Sequence, residues 1–163
     1  MSTMDRSFPR DLEALSDIHD FVEGYVAAKG IAPSNAHWVA FVVHELFTNM
    51  VRYSAEGRKD IAVCLTSRAD EIVIRVTDFD VEAFDLTKAP DVEIERWVNE
   101  DRVGGLGIHL VRQIADTIAY EYENRTSVIT VTRKLEQAEL IIDAQKKLAL
   151  ALEQTLSEPK DKS

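Results

Sequence analysis

Residues 102–116, RVGGLGIHLVRQIAD, form the most informative stretch of the sequence. Three glycines fall within four positions, and an apolar pattern of helical spacing follows directly. Glycine lets the backbone approach an anion closely, and a helix N-terminus offers free N–H donors and a positive dipole end. The stretch is neither a Walker A loop nor a Rossmann fingerprint, because no Gly-Lys-Ser/Thr follows and Leu110 replaces the last glycine. Alone, it fits a flexible turn as well as a phosphate-binding loop.

The composition limits what kind of protein this is. The chain has 163 residues, is 45% hydrophobic and 29% charged, and carries a net charge of −10. This is the size of one ordinary domain, and it is apolar enough to form a core. The negative charge argues against nucleic acid and anionic membranes as partners, because phosphate neutralisation needs a basic surface. A single cysteine, no signal-peptide pattern and no apolar run of roughly 18 residues predict a cytoplasmic protein outside the membrane.

The pattern of elements indicates the fold class. It predicts two helices, two strands, an acidic loop, a third helix, two strands and a terminal helix. Gly30 is expected to end the first helix, and Ser34 or Asn35 to cap the second. The strand pairs are IAVCLTS (61–67) with EIVIRVTD (71–78), and IAYEYEN (118–124) with SVITVTRK (127–134). Helices with antiparallel hairpins predict an α+β two-layer sandwich, with a mostly antiparallel sheet covered by helices on one face.

Two segments stand apart from this regular pattern. Residues 78–101 hold nine acids against two bases, a net charge of −7, and are predicted to form a lid or binding loop. Residues 135–163 are predicted to form a C-terminal helical extension with a frayed tail, beyond a domain that spans 1–134. The apolar stripe of this helix either packs back on its own sheet or pairs with another helix, which would give a homodimer.

Three polar positions suggest chemistry. HELFTN, residues 44–49, lacks the second histidine of a zincin because Thr48 stands in its place. Glu45 and Asn49 share one helix face, where an amide oxygen and a carboxylate suit a hard cation and its waters. Asp78 ends an apolar strand, where a carboxylate could accept a hydrogen bond from an amine. Each alone has a plain alternative: a solvated Glu, a helix-terminal Asn and a turn-forming Asp.

Taken in order, these signals form a recognisable series. The sequence resembles the GHKL (histidine kinase-like) ATP-binding fold over roughly residues 5–134. It is most similar to bacterial anti-sigma factor serine kinases of the RsbW and SpoIIAB type. HELFTNMVRYS (44–54) resembles the N box, VTDFDVEAFD (76–85) the G1 box and GGLGIHLVRQIAD (104–116) the G2 box. SFPRDLEALSDIHDFVEGY (7–25) resembles the opening strand and helix of that family.

The resemblance implies a role for each site residue. Glu45 would be catalytic and would orient or activate the attacking hydroxyl. Asn49 would hold Mg²⁺, and Asp78 would bind the adenine amine. The backbone at Gly105 and Gly107 would reach the triphosphate. The complete set implied to bind the cofactor, ATP with Mg²⁺, is Asn49, Asp78, Gly104, Gly105, Leu106, Gly107 and Ile108.

The resemblance also implies a function with alternatives. The first is an anti-sigma factor-like protein serine/threonine kinase that phosphorylates a STAS-domain anti-anti-sigma factor. The second is a non-catalytic module of the same fold that sequesters a sigma factor or another regulator, with weak or no nucleotide binding. The third is the catalytic half of a histidine kinase. This alternative needs a dimerising helix hairpin with a phosphorylatable histidine, and the sequence shows no such pattern.

The sequence departs from the family pattern in the G1 and N boxes. Asp80 replaces the glycine of Asp-x-Gly, which adds a side chain and a negative charge near the expected nucleotide. Unless it is screened, this charge should weaken nucleotide binding, and Asp80→Gly should tighten it. Tyr53 stands where relatives often carry histidine. These departures favour the non-catalytic alternative, whereas the intact Glu45 and Asn49 favour the kinase.

Overall fold

The computed structural model describes residues 1–85, 106–135 and 137–157. The predicted order of elements is present, and a strand precedes the first helix, where the resemblance placed an opening strand. The strands are β1 (Ser2–Phe8), β2 (Ile61–Arg68), β3 (Glu71–Phe79), β4 (Thr117–Glu123) and β5 (Thr126–Lys134). The helices are α1 (Leu15–Lys29), α2 (Pro33–Tyr53), α3 (Leu106–Ile114) and α4 (Gln137–Ser157), with a 3-10 turn at Leu12–Ala14.

The strands form one antiparallel sheet in the order β1-β2-β3-β5-β4. Alternate residues of the central strands are buried, as a sheet covered on one face requires. The buried strand residues join those of α1, α2 and α3 in one apolar core. The predicted α+β sandwich is therefore confirmed. None of the helices within the described residues combines the length and apolarity that a membrane span requires.

Helix α2 lies at the centre of this core and determines where the polar groups of the N box point. Its middle turns are completely buried, at Val39, Val42, Val43, Leu46 and Phe47. Such packing leaves the helix no freedom to rotate, because each apolar side chain would lose its contacts. The face that carries Glu45 and Asn49 is therefore fixed relative to the sheet.

The helix ends follow local chemistry, in one case differently from the prediction. Gly30 ends α1 in the left-handed region, with φ of 61°, as predicted. The predicted cap of α2 is wrong: the helix starts at Pro33, and Asn35 lies inside its first turn. Proline suits this position because its fixed φ is helical and its missing N–H has no intrahelical role there. The Asn35 side chain instead accepts a hydrogen bond from Trp38 Nε1 at 3.0 Å.

The hairpin between β4 and β5 brings a turn beside the end of β3. Its two loop residues, Asn124 and Arg125, have φ of 51° and 57°, as a type I′ turn requires. Phe79 at the end of β3 pairs with Thr126 at the start of β5. The residue after Phe79 is therefore held next to the hairpin turn.

Candidate functional site

Helix α2 places Glu45 and Asn49 one turn apart, as the spacing predicts. Glu45 is half-buried and Asn49 is buried. The Nδ2 atom of Asn49 is buried and has no hydrogen-bond partner among the described residues. A buried amide without a partner is costly, so such a group marks a place where a ligand or water completes the structure.

The first turn of α3 lies against Glu45. A Cβ atom built on Gly107 would overlap the Glu45 carboxylate, so only glycine permits this approach. Sequence analysis predicted a catalytic role for Glu45 and a nucleotide contact for Gly107, and the structure brings the two into contact. Leu106 opens the helix, and Ile108 points into the core. The predicted site residues Gly104 and Gly105 lie outside the described residues.

Asp78 lies at the end of β3 and is completely buried. Its carboxylate forms an ion pair with Arg10, which follows β1 on the far edge of the sheet. Arg10 Nη1 also donates hydrogen bonds to the backbone oxygens of Met50 and Ser54, each at 3.2 Å. Arg10 was not among the predicted site residues, because no local pattern connects a residue after β1 to a carboxylate on β3.

The space for Arg10 depends on Gly57. A Cβ on Gly57 would lie 2.6 Å from both Nε and Nη2 of Arg10. Burial lowers the pKa of Arg10, and the nearby charge of Glu56 partly opposes this. Arginine nevertheless stays protonated because its ordinary pKa lies far above neutral pH. Asp78 therefore faces a permanent cation.

Asp80 adopts the backbone conformation that the family's glycine would favour. Its φ is 54°, in the left-handed region that aspartate tolerates better than most residues. Its carboxylate accepts a hydrogen bond from Arg125 Nε at 2.8 Å, and the Asp80 backbone oxygen accepts one from Nη2 at 3.4 Å. The pairing lowers the pKa of the Asp80 carboxyl and raises the pKa of the Arg125 guanidinium. The negative charge of Asp80, which was expected to weaken nucleotide binding unless screened, is thus balanced by Arg125. Nothing in the sequence indicated this partner.

The segment after Asp80 is anchored to the same hairpin. Val81 N–H donates to the Arg125 backbone oxygen at 2.9 Å, and the Val81 oxygen accepts from the Tyr122 hydroxyl at 2.8 Å. The rings of Tyr53 and Phe84 stack, with centroids 5.4 Å apart and planes 20° apart. Tyr53, the unusual N-box residue, therefore packs against the start of the predicted lid. Residues 86–101, most of that lid, lie outside the described residues.

The described residues contain no ready-made metal centre. Within 1–85, 106–135 and 137–157, no three His, Cys, Asp or Glu side chains gather as metal ligands. A cation at Asn49 would therefore need further oxygens from a ligand or from water. Mg²⁺ is commonly held in this way, by few protein groups together with phosphate oxygens.

Comparison with known proteins identifies the family and the fold. Residues 8–133 match the family model described as the histidine kinase-like ATPase domain. A chain of the SiaB–SiaC complex from Pseudomonas aeruginosa is similar in structure at 16% identity and a TM-score of 0.59, over 80% of this chain and 88% of that one. The RsbU and RsbW domains of a Mycobacterium tuberculosis protein match at 14% identity and a TM-score of 0.58, over 83% of this chain.

The extent of these matches determines what they show. The chain spans 33% of the Mycobacterium tuberculosis chain and most of the Pseudomonas aeruginosa chain. No curated protein is significantly similar in sequence. At such identities the structural likeness shows the fold, and the family match covers more than half of the chain. The resemblance seen in the sequence is confirmed, and the chain belongs to the histidine kinase-like ATPase domain family.

Proposed function

We propose that the chain binds ATP with Mg²⁺ between α2, the end of β3 and the first turn of α3, and phosphorylates a serine or threonine of a partner protein. The observation that carries the proposal is the contact between Glu45 and Gly107. It joins the proposed catalytic carboxylate to the proposed phosphate-binding helix start. Phosphoryl transfer needs mainly positioning and charge neutralisation, so few side chains suffice.

Each residue would have a limited task. The Asn49 side-chain oxygen would bind Mg²⁺, which when bound neutralises phosphate charge. Glu45 would accept the proton of the attacking hydroxyl. Asp78 would accept a hydrogen bond from the adenine amine. The backbone around Gly107, together with Gly104, Gly105, Leu106 and Ile108, would bind the phosphates at the start of α3.

The proposed partner is a STAS-domain anti-anti-sigma factor, a sigma factor, or both, in the cytoplasm. One similar structure holds SiaB with SiaC, and the other joins an RsbW domain to an RsbU domain. These support a role as a regulatory protein that acts on another protein. The acidic surface also favours a protein partner over nucleic acid, because a net charge of −10 repels phosphate backbones.

A second function is favoured by two specific observations. Asp78 is already paired with Arg10, and Asp80 occupies the position of the family's glycine. A non-catalytic module would keep the fold and sequester its regulator without phosphoryl transfer. The two functions differ in whether a phosphate reaches the partner.

Two measurements separate these functions. Titration of a fluorescent ATP analogue with Mg²⁺ should saturate below millimolar nucleotide if the site binds ATP; no saturation would exclude the kinase. Incubation with γ-³²P-labelled ATP and candidate STAS proteins should then label the partner. Glu45→Gln should retain binding and lose labelling, while Glu23→Gln, an exposed control on α1, should retain both. Binding without labelling by the native chain would support the sequestering module.

We also propose that α4 pairs with α4 of a second copy to form a homodimer. Leu148, Leu152 and Leu156 are exposed along one side of this helix. Exposed leucines repeated every four residues form an apolar stripe, which is stabilised when a second helix covers it. Leu150 is equally exposed but lies on the opposite side of the helix.

Charge indicates the direction of this pairing. Lys146 and Glu153 are two turns apart, on the same flank of the stripe. In an antiparallel pair, the same flanks of both helices face each other, so Lys146 of each copy meets Glu153 of the other. In a parallel pair this flank would not face the same flank of the other helix, so Lys146 and Glu153 would not meet. The sequence of α4 therefore favours an antiparallel second copy as the occupant.

A further inference from the structure

A buried carboxylate oxygen at the end of β3 lacks a partner. The side chains of Asp78 and Arg10 are 1% and 9% exposed. Arg10 Nη2 bonds to Asp78 Oδ1, while Oδ2 is buried with no hydrogen-bond partner among the residues that the structure describes. Leaving a buried acceptor unsatisfied is costly, particularly on a charged group. The Oδ2 atom is therefore an acceptor that one N–H donor of a ligand would satisfy.

Arg10 is held firmly in its place. Its Nη1 donates to the carbonyls of Met50 and Ser54 at the end of α2, and Gly57 leaves the space that its guanidinium fills. Three acceptors on two elements fix the plane of the guanidinium, since its donors form a rigid fork. A side chain fixed in this way also fixes the carboxylate that it contacts.

The charge of the pair limits what the free oxygen can bind. Arg10 neutralises Asp78, so an incoming ammonium would gain little from a carboxylate that already has a cation. A neutral N–H donor gains a hydrogen bond to a charged acceptor without bringing another charge into a buried site. The exocyclic amine of a purine is such a donor.

We propose that Arg10 is a positioning residue for the nucleobase: it occupies one oxygen of Asp78 and presents the other to the exocyclic amine of the base. This inference rests on the proposed nucleotide binding and adds a residue to it. It predicts that Arg10 controls discrimination between bases with and without that amine, and does more than hold the fold together.

The test compares ATP with purine riboside triphosphate, which lacks the amine, in the full chain with Mg²⁺. The native protein should prefer ATP by about tenfold, the value of one hydrogen bond to a charged group. Arg10→Gln should lose about tenfold in ATP affinity with little change for the analogue, so the preference disappears. Arg10→Lys, which keeps a cation, should retain part of the preference. Arg6→Gln, an exposed arginine on β1, should retain it fully.

Gly57→Ala gives a second variant in case Arg10→Gln does not fold. It keeps the arginine but fills the space that its guanidinium occupies, so it should also remove the preference for ATP. Thermal unfolding of each variant checks that the fold is intact. Because this variant removes no charge, agreement between the two variants would support positioning of Asp78 by Arg10.

The remaining outcomes overturn the proposal. Equal losses for both nucleotides in a folded variant would assign Arg10 a purely structural role. Tighter ATP binding by Arg10→Gln would show that the guanidinium competes with the base for Asp78. Native protein that binds both nucleotides equally would remove the amine contact but leave nucleotide binding intact. If the native protein binds neither nucleotide, the proposed function fails, and the role of Arg10 fails with it.

Discussion

The carboxylate of Glu45 and the backbone of Gly107 are in direct contact, so no other residue fits at position 107 without moving Glu45. This contact joins α2 to the first turn of α3, two elements that lie on either side of the central hairpin in the sequence. The Glu45 carboxylate can keep its position only if residue 107 is glycine.

Gly107→Ala should displace the Glu45 carboxylate with little effect on stability. The carboxylate is the end of a flexible side chain and can rotate away, while alanine favours the helix by about 1 kcal/mol over glycine. We therefore expect a free energy of unfolding within about 1 kcal/mol of the native value. Loss of a positioned general base should reduce phosphoryl transfer by about 10²–10⁴-fold. Urea denaturation and the labelling assay measure the two quantities.

A Glu45→Ala background tests whether the contact itself is responsible. There, Gly107→Ala meets no carboxylate and should stabilise the protein by about 1 kcal/mol. Gly24→Ala on α1 is the matched control, since a Cβ there has no atom within 4 Å. If Gly107→Ala has the same effect in both backgrounds, the two residues are not coupled.

Gly57→Ala should destabilise the fold, because its Cβ would displace the Arg10 guanidinium. Removing one partner from a buried ion pair costs about 3–5 kcal/mol, and we expect a loss of about 2–4 kcal/mol because Arg10 can partly relax. Urea denaturation of Gly57→Ala against Gly24→Ala measures the difference. A loss no larger than that of the control would show that Arg10 tolerates the Cβ without leaving its acceptors.

Asp80 offers a test of backbone strain at a left-handed position. Asp80→Ala keeps a Cβ and loses the bond to Arg125, and a residue with a Cβ pays about 1–2 kcal/mol in this conformation. Asp80→Gly removes that strain, so it should be the more stable of the two by about 1 kcal/mol. Chemical denaturation of both variants measures this difference. Equal stability would mean that the turn relaxes out of the left-handed region.

The ion pair between Asp80 and Arg125 should depend on pH. Arg125 lowers the pKa of Asp80 from its ordinary value of 3.8, so the folded state favours the ionised carboxylate. The contribution is therefore present above the ordinary pKa and is lost as pH falls through the lowered one. Carboxyl titration by NMR should place the pKa of Asp80 below the ordinary aspartate value of 3.8. In Arg125→Gln this depression should disappear.

The α4 pairing predicts which leucine matters. Leu152 and Leu150 are 56% and 59% exposed, but only Leu152 lies on the proposed stripe. Leu152→Glu should therefore give a monomer, and Leu150→Glu should leave the dimer intact. Sedimentation equilibrium measures the mass of each variant. A native chain that is monomeric at high micromolar concentration would exclude the pairing.

Charge reversal tests the direction of the same pairing. Lys146→Glu should weaken an antiparallel dimer by bringing like charges together at both ends of the contact. Adding Glu153→Lys to this variant should restore the affinity. If the native chain is a dimer, no recovery in the double variant would exclude the antiparallel arrangement.

The class of fold and the order of its elements could be predicted from local sequence patterns alone. Apolar residues at helical or alternating spacing can bury one face only as helices and strands, so these patterns survive in any tertiary setting. The same local rule places Glu45 and Asn49 on one helix face and ends α1 at Gly30. Local patterns were less reliable at the start of α2, where the proline governed the boundary rather than the polar residues after it.

The groups that surround the polar residues became known only from the folded structure. Arg10, which follows β1, pairs with Asp78 on β3. Arg125 in the β4–β5 turn pairs with Asp80. Gly107 on α3 contacts Glu45 on α2. The partner of a charged side chain depends on which strands become neighbours and on where each turn points. Long-range pairing of this kind has no period in the sequence, and it appears only when the whole sheet is assembled.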